Sequence, residues 1–204
     1  NAPDVKMTYH DGTRFIATLT DKQGNPIRDA AIEITINGKT YTKTTDEKGV
    51  VSLGLSLDSG IYTVTVNFKG TADYTPITKQ AKVTIEPTVK GLDVVKMFRN
   101  DTQYYAIFTD SQGNPLKNKD IQFNINGVFY TKTTNDKGIA MMGINLNPGK
   151  YVITAINLVT GEQSGNNITV KSLIVQNDLT KYYLNASRFQ PTIYNKDGSL
   201  AANK

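Results

Sequence analysis

The chain contains no cysteine. Disulfides, thiolate nucleophiles and cysteine-based metal sites are excluded together. It holds a single histidine, His10, which removes the ordinary histidine triads and multi-histidine zinc sites. Tryptophan is absent as well. No apolar run reaches the roughly 18–20 residues that a membrane span needs, so no membrane insertion by this segment is expected. No leader is visible at Asn1-Ala2-Pro3, and the chain reads as a piece of something longer. No convincing amphipathic helix is found either. Two common catalytic toolkits are missing; catalysis by carboxylates alone remains possible, but the acids are scattered through turns with no pair in an evident shared cleft, so no enzyme and no cofactor are expected.

What is present is a folded composition of 204 residues, 38% hydrophobic and 20% charged. The formal net charge of +5 invites a nucleic-acid reading. Residues 1–86 carry 10 basic and 10 acidic side chains, residues 87–170 carry 8 and 6, and residues 171–204 carry 5 and 2. The excess sits on single, separated lysines, whereas a nucleic-acid footprint is a dense stripe. No nucleic-acid partner is expected, and the lysines read as solvated strand faces.

Internal repetition is the strongest signal. With a shift of 89, residues 21–66 fall on 110–155 without a gap. Asp21-Lys22-Gln23-Gly24-Asn25-Pro26 meets Asp110-Ser111-Gln112-Gly113-Asn114-Pro115, and Tyr41-Thr42-Lys43-Thr44-Thr45 meets Tyr130-Thr131-Lys132-Thr133-Thr134. Lys48-Gly49 meets Lys137-Gly138. A further shift of 85 places Asp110–Lys119 on Asn195–Lys204. The sequence therefore predicts repeats over 1–86 and 87–170 and a partial third over 171–204, with strands A and B only. The short linkers Glu86-Pro87-Thr88-Val89 and Lys171-Ser172 predict a semi-rigid rod.

Each repeat reads as about seven strands. Phe15, Ala17 and Leu19 alternate with Ile16 and Thr18, and Ile32, Ile34 and Ile36 alternate with Glu33 and Thr35. Asn37-Gly38 between strand-like runs signals a two-residue type I′ hairpin, because both central residues need positive φ. Val51, Leu53, Leu55 and Leu57 follow as strand E, then Tyr62, Val64 and Val66 as strand F, and Val83 and Ile85 in strand G. Strand A is placed near Val5–Tyr9 and Val94–Arg99. One-faced strands must pack as two antiparallel sheets face to face. Asp58-Ser59-Gly60-Ile61-Tyr62 and Asn147-Pro148-Gly149-Lys150-Tyr151 have the form of a tyrosine corner, so Tyr62 and Tyr151 are structural candidates. The fold class is all-β: tandem immunoglobulin-like sandwiches. Val64 and Ile153 occupy the position of the usual disulfide cysteine.

Gly113-Asn114-Pro115-Leu116, Asn124-Ile125-Asn126-Gly127-Val128-Phe129-Tyr130, Asn145-Leu146-Asn147-Pro148-Gly149-Lys150-Tyr151 and Asn166-Asn167-Ile168-Thr169-Val170 resemble the tandem repeats of adhesin-like surface proteins of methanogenic archaea, relatives of the bacterial Ig-like repeats. The resemblance implies a modular, extracellular stalk or adhesion unit at the cell surface. Its partners would be further repeats in the same chain, other copies, or a glycan or protein on a cell surface.

An isopeptide bond, as some Ig-like surface domains carry, would join Lys6 or Lys96 to Asn167. The inward strand-F positions Val64, Val66, Ile153 and Ala155 supply no acid to move the proton, so exposed, unlinked side chains are expected. Asp46-Glu47, Asn135-Asp136, Asp21 and Asp110 lack a calcium-loop spacing and suit turns, so no metal is assigned. Asn100, Asn167 and Asn185 open N-x-S/T glycosylation motifs, with Asn100 expected to be the most accessible. Phe68 and Tyr74 occur only in repeat 1 and form a candidate sugar-stacking loop, against the alternative that Tyr74 folds over the open end of the core. His10 falls opposite Arg99 and is expected in a surface turn. In the third repeat Pro191 replaces the strand-B alanine of the other two and weakens that strand. Its missing strands are expected from the continuing polypeptide, or from another chain by β-strand addition into a fibre.

Overall fold

The computed structural model describes residues 1–202. The alignment of Asn203-Lys204 with Asn118-Lys119 lies outside the described residues. Among the described residues the regular structure is strand alone. The chain separates into two compact units, the first built on Asn1–Thr88 together with Asp110–Asn114 and the second on Val89–Thr109 and the chain from Pro115 onward.

The first unit runs β1 Val5–Thr8, β2 Arg14–Thr18, β3 Ala31–Ile36, β4 Lys39–Thr44, β5 Val50–Gly54, β6 Gly60–Phe68 and β7 Ile77–Glu86. A five-stranded sheet in the order β1-β7-β6-β3-β4 faces the β2-β5 pair. The second unit repeats this with β8 Val89–Gly91, β9 Val94–Met97, β10 Gln103–Phe108, β11 Asp120–Ile125, β12 Val128–Thr133, β13 Ile139–Gly143, β14 Gly149–Ile156 and β15 Gln163–Lys171. Its sheets are ordered β12-β11-β14-β15-β9 and β13-β10-β8. β16 Ile174–Val175 and β17 Thr192–Ile193 then form a separate two-stranded pair.

The alternation seen in the sequence is the alternation of burial. Phe15, Ala17, Ile32, Ile34, Ile36, Val51, Leu53, Val64, Val83 and Ile85 form one core; Tyr104, Ala106, Phe108, Ile121, Phe123, Ile125, Ile153 and Ile168 belong to the other. Side chains of period two on a pleated strand place one set inward, and apolar burial makes that register the stable one. The turn residues follow their φ requirements: Asn37 and Gly38 sit at φ 48° and 72°, Asn126 and Gly127 at 53° and 77°.

Three features depart from the sequence reading. Strand A is not one strand in the second unit: β8 pairs antiparallel with β10, and the chain then crosses to the other sheet, where β9 runs parallel to β15. β1 likewise runs parallel to β7, so the sheets are not wholly antiparallel. A chain that enters beside its second strand and leaves along its last has to change sheets, and the new partner then runs in the same direction. The linkers also shrink. Glu86 belongs to β7 and Val89 to β8, which leaves Pro87 and Thr88 between strands, and Lys171 belongs to β15. Strand E is shorter than its apolar alternation, since β5 stops at Gly54 although Leu55 is buried.

The repeated Thr-Thr pair has a structural reason. Thr45 is buried; its Oγ1 donates to the Ile27 carbonyl at 2.8 Å and accepts from the Ala30 N–H at 2.9 Å. Thr134 does the same for Leu116 and Lys119. One hydroxyl thereby satisfies the buried backbone of the loop between the second and third strands.

Candidate functional site

Each predicted site residue falls on a definite element. Tyr62 and Tyr151 stand two residues into β6 and β14, and their hydroxyls donate to the Asp58 carbonyl at 2.8 Å and the Asn147 carbonyl at 2.9 Å. Gly60 and Gly149 lie under these rings; a Cβ on Gly149 would sit 3.1 Å from the Tyr151 hydroxyl. Burial raises the Tyr62 pKa, with the Asp58 charge adding to it.

Phe68 is not a loop residue. It closes β6 and is buried in the first core at 3% exposure, so it cannot stack on a ligand. The strand continues through Asn67 and brings it inward. Tyr74 does lie in the loop after β6 and is 39% exposed. Thr71 N–H donates to the Tyr74 carbonyl at 2.9 Å, and Gly70, at φ 84°, fits where a Cβ would come within 2.8 Å of that same oxygen. Tyr74 rims a cleft of about 540 Å³ together with Asp21, Lys22, Gln23, Asp73 and Pro76.

Asn100 is half-buried, while Asn167 and Asn185 are exposed, which reverses the expected ranking. The Asn100 Oδ1 accepts from Thr102 N–H at 3.1 Å and its carbonyl accepts from Lys96. Asn167 sits on β15 with its Nδ2 donating to Asp93 Oδ2 at 3.1 Å, and Asn185 Oδ1 accepts from Ser187 N–H at 3.0 Å.

The lysines differ sharply from one another. Lys6 is exposed and lies 3.5 Å from Glu86. Lys96, expected to be exposed, is buried at 4% exposure. Its Nζ donates to the carbonyls of Asn100 at 2.7 Å, Thr102 at 3.1 Å and Ile144 at 2.8 Å. Burial lowers its pKa, partly offset by the charge of Asp101. Three fixed carbonyl dipoles take the place of a counter-ion, and none of these partners belongs to Asn167. The equivalent position in the first unit is the buried Met7, and that mismatch is the signal in the sequence that Lys96 points inward. Lys96→Ala is expected to cost about 2–4 kcal/mol, since the buried Ile144 carbonyl and two part-buried carbonyls lose their donor and the Lys96 stem leaves a void. Lys96→Met, which refills the volume, should cost measurably less. Urea unfolding of both variants tests this, and equal losses would contradict it.

The turn acids are occupied by backbone. Asp21 Oδ1 accepts from Gln23 and Asn25 N–H, and Asp110 Oδ1 from Gln112 and Asn114 N–H. The Asn25 side chain at Asp21 holds that carboxyl below the usual range, helped by these N–H groups. Asp46 Oδ1 accepts from Lys48 and Val50 N–H, and Asn135 Oδ1 accepts from the equivalent Lys137 and Ile139. An amide and a carboxylate serve the same turn, so the turn uses an acceptor oxygen and not a charge. His10 stands at φ 56° and is exposed, with its ring stacked 4.0 Å from that of Tyr9; Arg99 stands at φ 60°.

One polar cluster escaped the sequence reading. Tyr104, fully buried, donates to Asn166 Oδ1 at 2.8 Å. Asp93 Oδ1 accepts from Asn167 N–H at 2.8 Å. The equivalents of Gly91, Tyr104 and Asn166 in the first unit are Ala2, Phe15 and Ala81. The hydroxyl, the amide and the missing methyl therefore change together between the units.

No protein-family model matches the chain. Among curated proteins it is 30% identical over 146 residues to the inverse autotransporter adhesin YeeJ of Escherichia coli (strain K12). That match covers 63% of this chain, which spans only 6% of the adhesin's length. Similar solved structures include invasin, a bacterial integrin-binding protein, at 14% identity and a TM-score of 0.33, with 98% of this chain and 46% of that one covered. A Ca2+-stabilized, ice-binding adhesin of an Antarctic bacterium aligns at 17% identity and a TM-score of 0.31, with 84% of this chain and 49% of that one covered. Alpha-2-macroglobulin from Escherichia coli aligns at 11% identity and a TM-score of 0.48, with 84% and 16% covered. The fold stands on the strand order and register: tandem Ig-like β-sandwiches.

Proposed function

We propose that this chain is a load-bearing stretch of an extracellular, cell-surface adhesin, a non-enzymatic stalk whose Ig-like units carry a binding site elsewhere in the polypeptide. The observation that carries it is the parallel pairing of first and last strands in both units, over Val5–Thr8 with Val83–Glu86 and over Val94–Met97 with Ile168–Lys171. Tension applied through the two ends of such a unit pulls these strands in opposite directions along their length. Their ladder bonds are then loaded together in shear and do not unzip one by one. The identity with a bacterial adhesin supports the surface role. The likeness to methanogen repeats rests on the sequence motifs alone.

Pulling the chain by its ends in a force spectrometer tests the proposal. Two discrete unfolding events are expected, each releasing about 30 nm at roughly 3.5 Å per freed residue. Smooth extension without discrete events would refute the load-bearing role. We further infer that β16 and β17 begin a third sandwich, because Ile174, Val175 and Ile193 are all exposed and unsupported. Its remaining strands come from the continuing chain or from another copy, which sedimentation at rising concentration distinguishes. Asn167 and Asn185 are the accessible glycosylation candidates.

A second reading, glycan or cell-wall binding, is favoured by the cleft that Tyr74 rims. An exposed aromatic beside Asp21, Gln23 and Asp73 offers a stacking face and polar partners. On a glycan array the Tyr74→Ala chain should lose binding at least tenfold if this reading holds. A wild type that binds no glycan leaves the spacer role alone.

A further inference from the structure

The first unit contains an apolar slot of about 180 Å³ bordered by Ala17, Leu19, Ile32, Val51, Val66 and Phe68. Its mouth is marked by Asn1. The Asn1 amine donates to the Thr18 carbonyl at 2.5 Å, and Thr18 N–H donates back to the Asn1 carbonyl at 2.8 Å. This exchange of two bonds is one hydrogen-bonded rung of an antiparallel ladder.

The repeat register identifies the rung. Asn1 and Thr18 correspond to Lys90 and Ile107, which pair between β8 and β10. One step earlier on β8 is Val89, paired with Phe108; Val89 is 2% exposed and Phe108 is fully buried. The third repeat has Ile174 at the same step, paired with Ile193. In the first unit the corresponding partner is Leu19, which remains only partly buried beside the slot. Leu19 turns its N–H to the Gly49 carbonyl at 2.8 Å, away from the Asn1 side. The missing step is thus a non-hydrogen-bonded rung, where opposed side chains approach most closely.

We propose that this slot is a strand-docking site for the polypeptide segment directly N-terminal to Asn1, and that it takes a β-branched aliphatic side chain at the first residue of that segment. Val89 and Ile174 define the side-chain class. Ala17, Leu19, Ile32, Val51, Val66 and Phe68 form the apolar part of the lining, with Thr18, Thr45 and Lys79 beside it, so a charged or very small residue would leave that apolar part unfilled. In a serial array the connection between two units then doubles as the opening strand of the next, and each unit is completed by the chain that enters it. The inference stands on the register between repeats and does not depend on an adhesin role.

The test uses the whole chain extended before Asn1 by Thr-Val, by Thr-Asp or by Thr-Gly. The Thr-Val chain should melt roughly 5 °C higher in its first-unit transition than the other two. It should also show nuclear Overhauser contacts from the new valine methyls to Phe68 and Val51. Equal melting of the three chains, or valine methyls without those contacts, would overturn the proposal. So would concentration-dependent dimers of the unextended chain that protect Leu19 and Phe68, because a second copy would then be the occupant.

Discussion

Gly138→Ala is expected to destabilise the second unit by more than about 3 kcal/mol, and Gly49→Ala the first by a similar amount. Gly138 has φ 73° and Gly49 has φ 71°. An alanine in that region costs about 1–2 kcal/mol from its own Cβ. The surroundings add more. The new Cβ would lie 2.4 Å from the Phe108 carbonyl oxygen, or from the Leu19 oxygen in the first unit. Neither oxygen is free to retreat. Leu116 N–H donates to the Phe108 oxygen at 3.0 Å, and Phe108 N–H donates to the Gly138 oxygen at 2.8 Å. Leu19, Ile27 and Gly49 make the same pair of bonds. Relief of the clash requires breaking at least one, at about 1 kcal/mol or more each. Gly143→Ala is the control, since a Cβ there meets nothing within 4 Å. Urea denaturation should place Gly143→Ala within about 1 kcal/mol of the parent. A Gly138→Ala loss equally small would refute the argument. The recurrence of Lys-Gly at a spacing of 89 thus marks a backbone crossing and not a loop chosen for flexibility.

How much of this was legible beforehand depends on how local the cause is. The strands built on Phe15-Ala17, Ile32-Ile34-Ile36 and Val51-Leu53 follow from period-two alternation, and Asn37-Gly38 announces its own turn because the φ demand is local. The sandwich follows from one-faced strands that have to meet. The burial of Lys96 is not legible locally, because it depends on Ile144, 48 residues away, and on two loop carbonyls. No spacing rule shows where a distant carbonyl will be aimed. Phe68 looks like a loop residue from its polar neighbours, but its strand runs nine residues, to the end of β6. The split of strand A was invisible because no apolar periodicity marks a crossing between sheets; the local sign is Asp93, whose carboxylate caps the N–H of Asn167 just as Asp4 caps that of Lys82. The loop that holds Tyr74 is legible locally, but the cleft beside it is assembled from Asp21–Gln23, far from it in sequence.

Tyr104, Asn166 and Gly91 should behave as one unit, with effects that do not add. The Tyr104 hydroxyl and Asn166 Oδ1 fill the space above Gly91: a Cβ there would lie 2.2 Å from one and 2.3 Å from the other. Gly91→Ala alone is therefore expected to cost about 3 kcal/mol by overpacking against a fully buried ring. The first unit shows the compensated state, Ala2 with Phe15 and Ala81 at the equivalent positions. The triple variant Gly91→Ala/Tyr104→Phe/Asn166→Ala should consequently lie within about 1 kcal/mol of the parent, a coupling of roughly 2 kcal/mol or more. Additive losses would show that the two units solve the packing independently. The same tyrosine sets an alkaline limit. Burial, with the nearby charge of Asp93 adding to it, pushes its pKa from 10.0 up to about 12. A raised folded-state pKa means that the unfolded chain releases this proton first. Stability from Tyr104 is full below pH 10 and falls as pH rises through about 12, by roughly 2–3 kcal/mol in all. Tyr104→Phe sacrifices about 1 kcal/mol at neutral pH through the lost hydrogen bond, yet it should remove this alkaline slope. Parallel unfolding curves for parent and variant between pH 9 and 12 would refute the assignment; curves that converge as pH rises would support it, because the two chains differ only in the Tyr104 phenol.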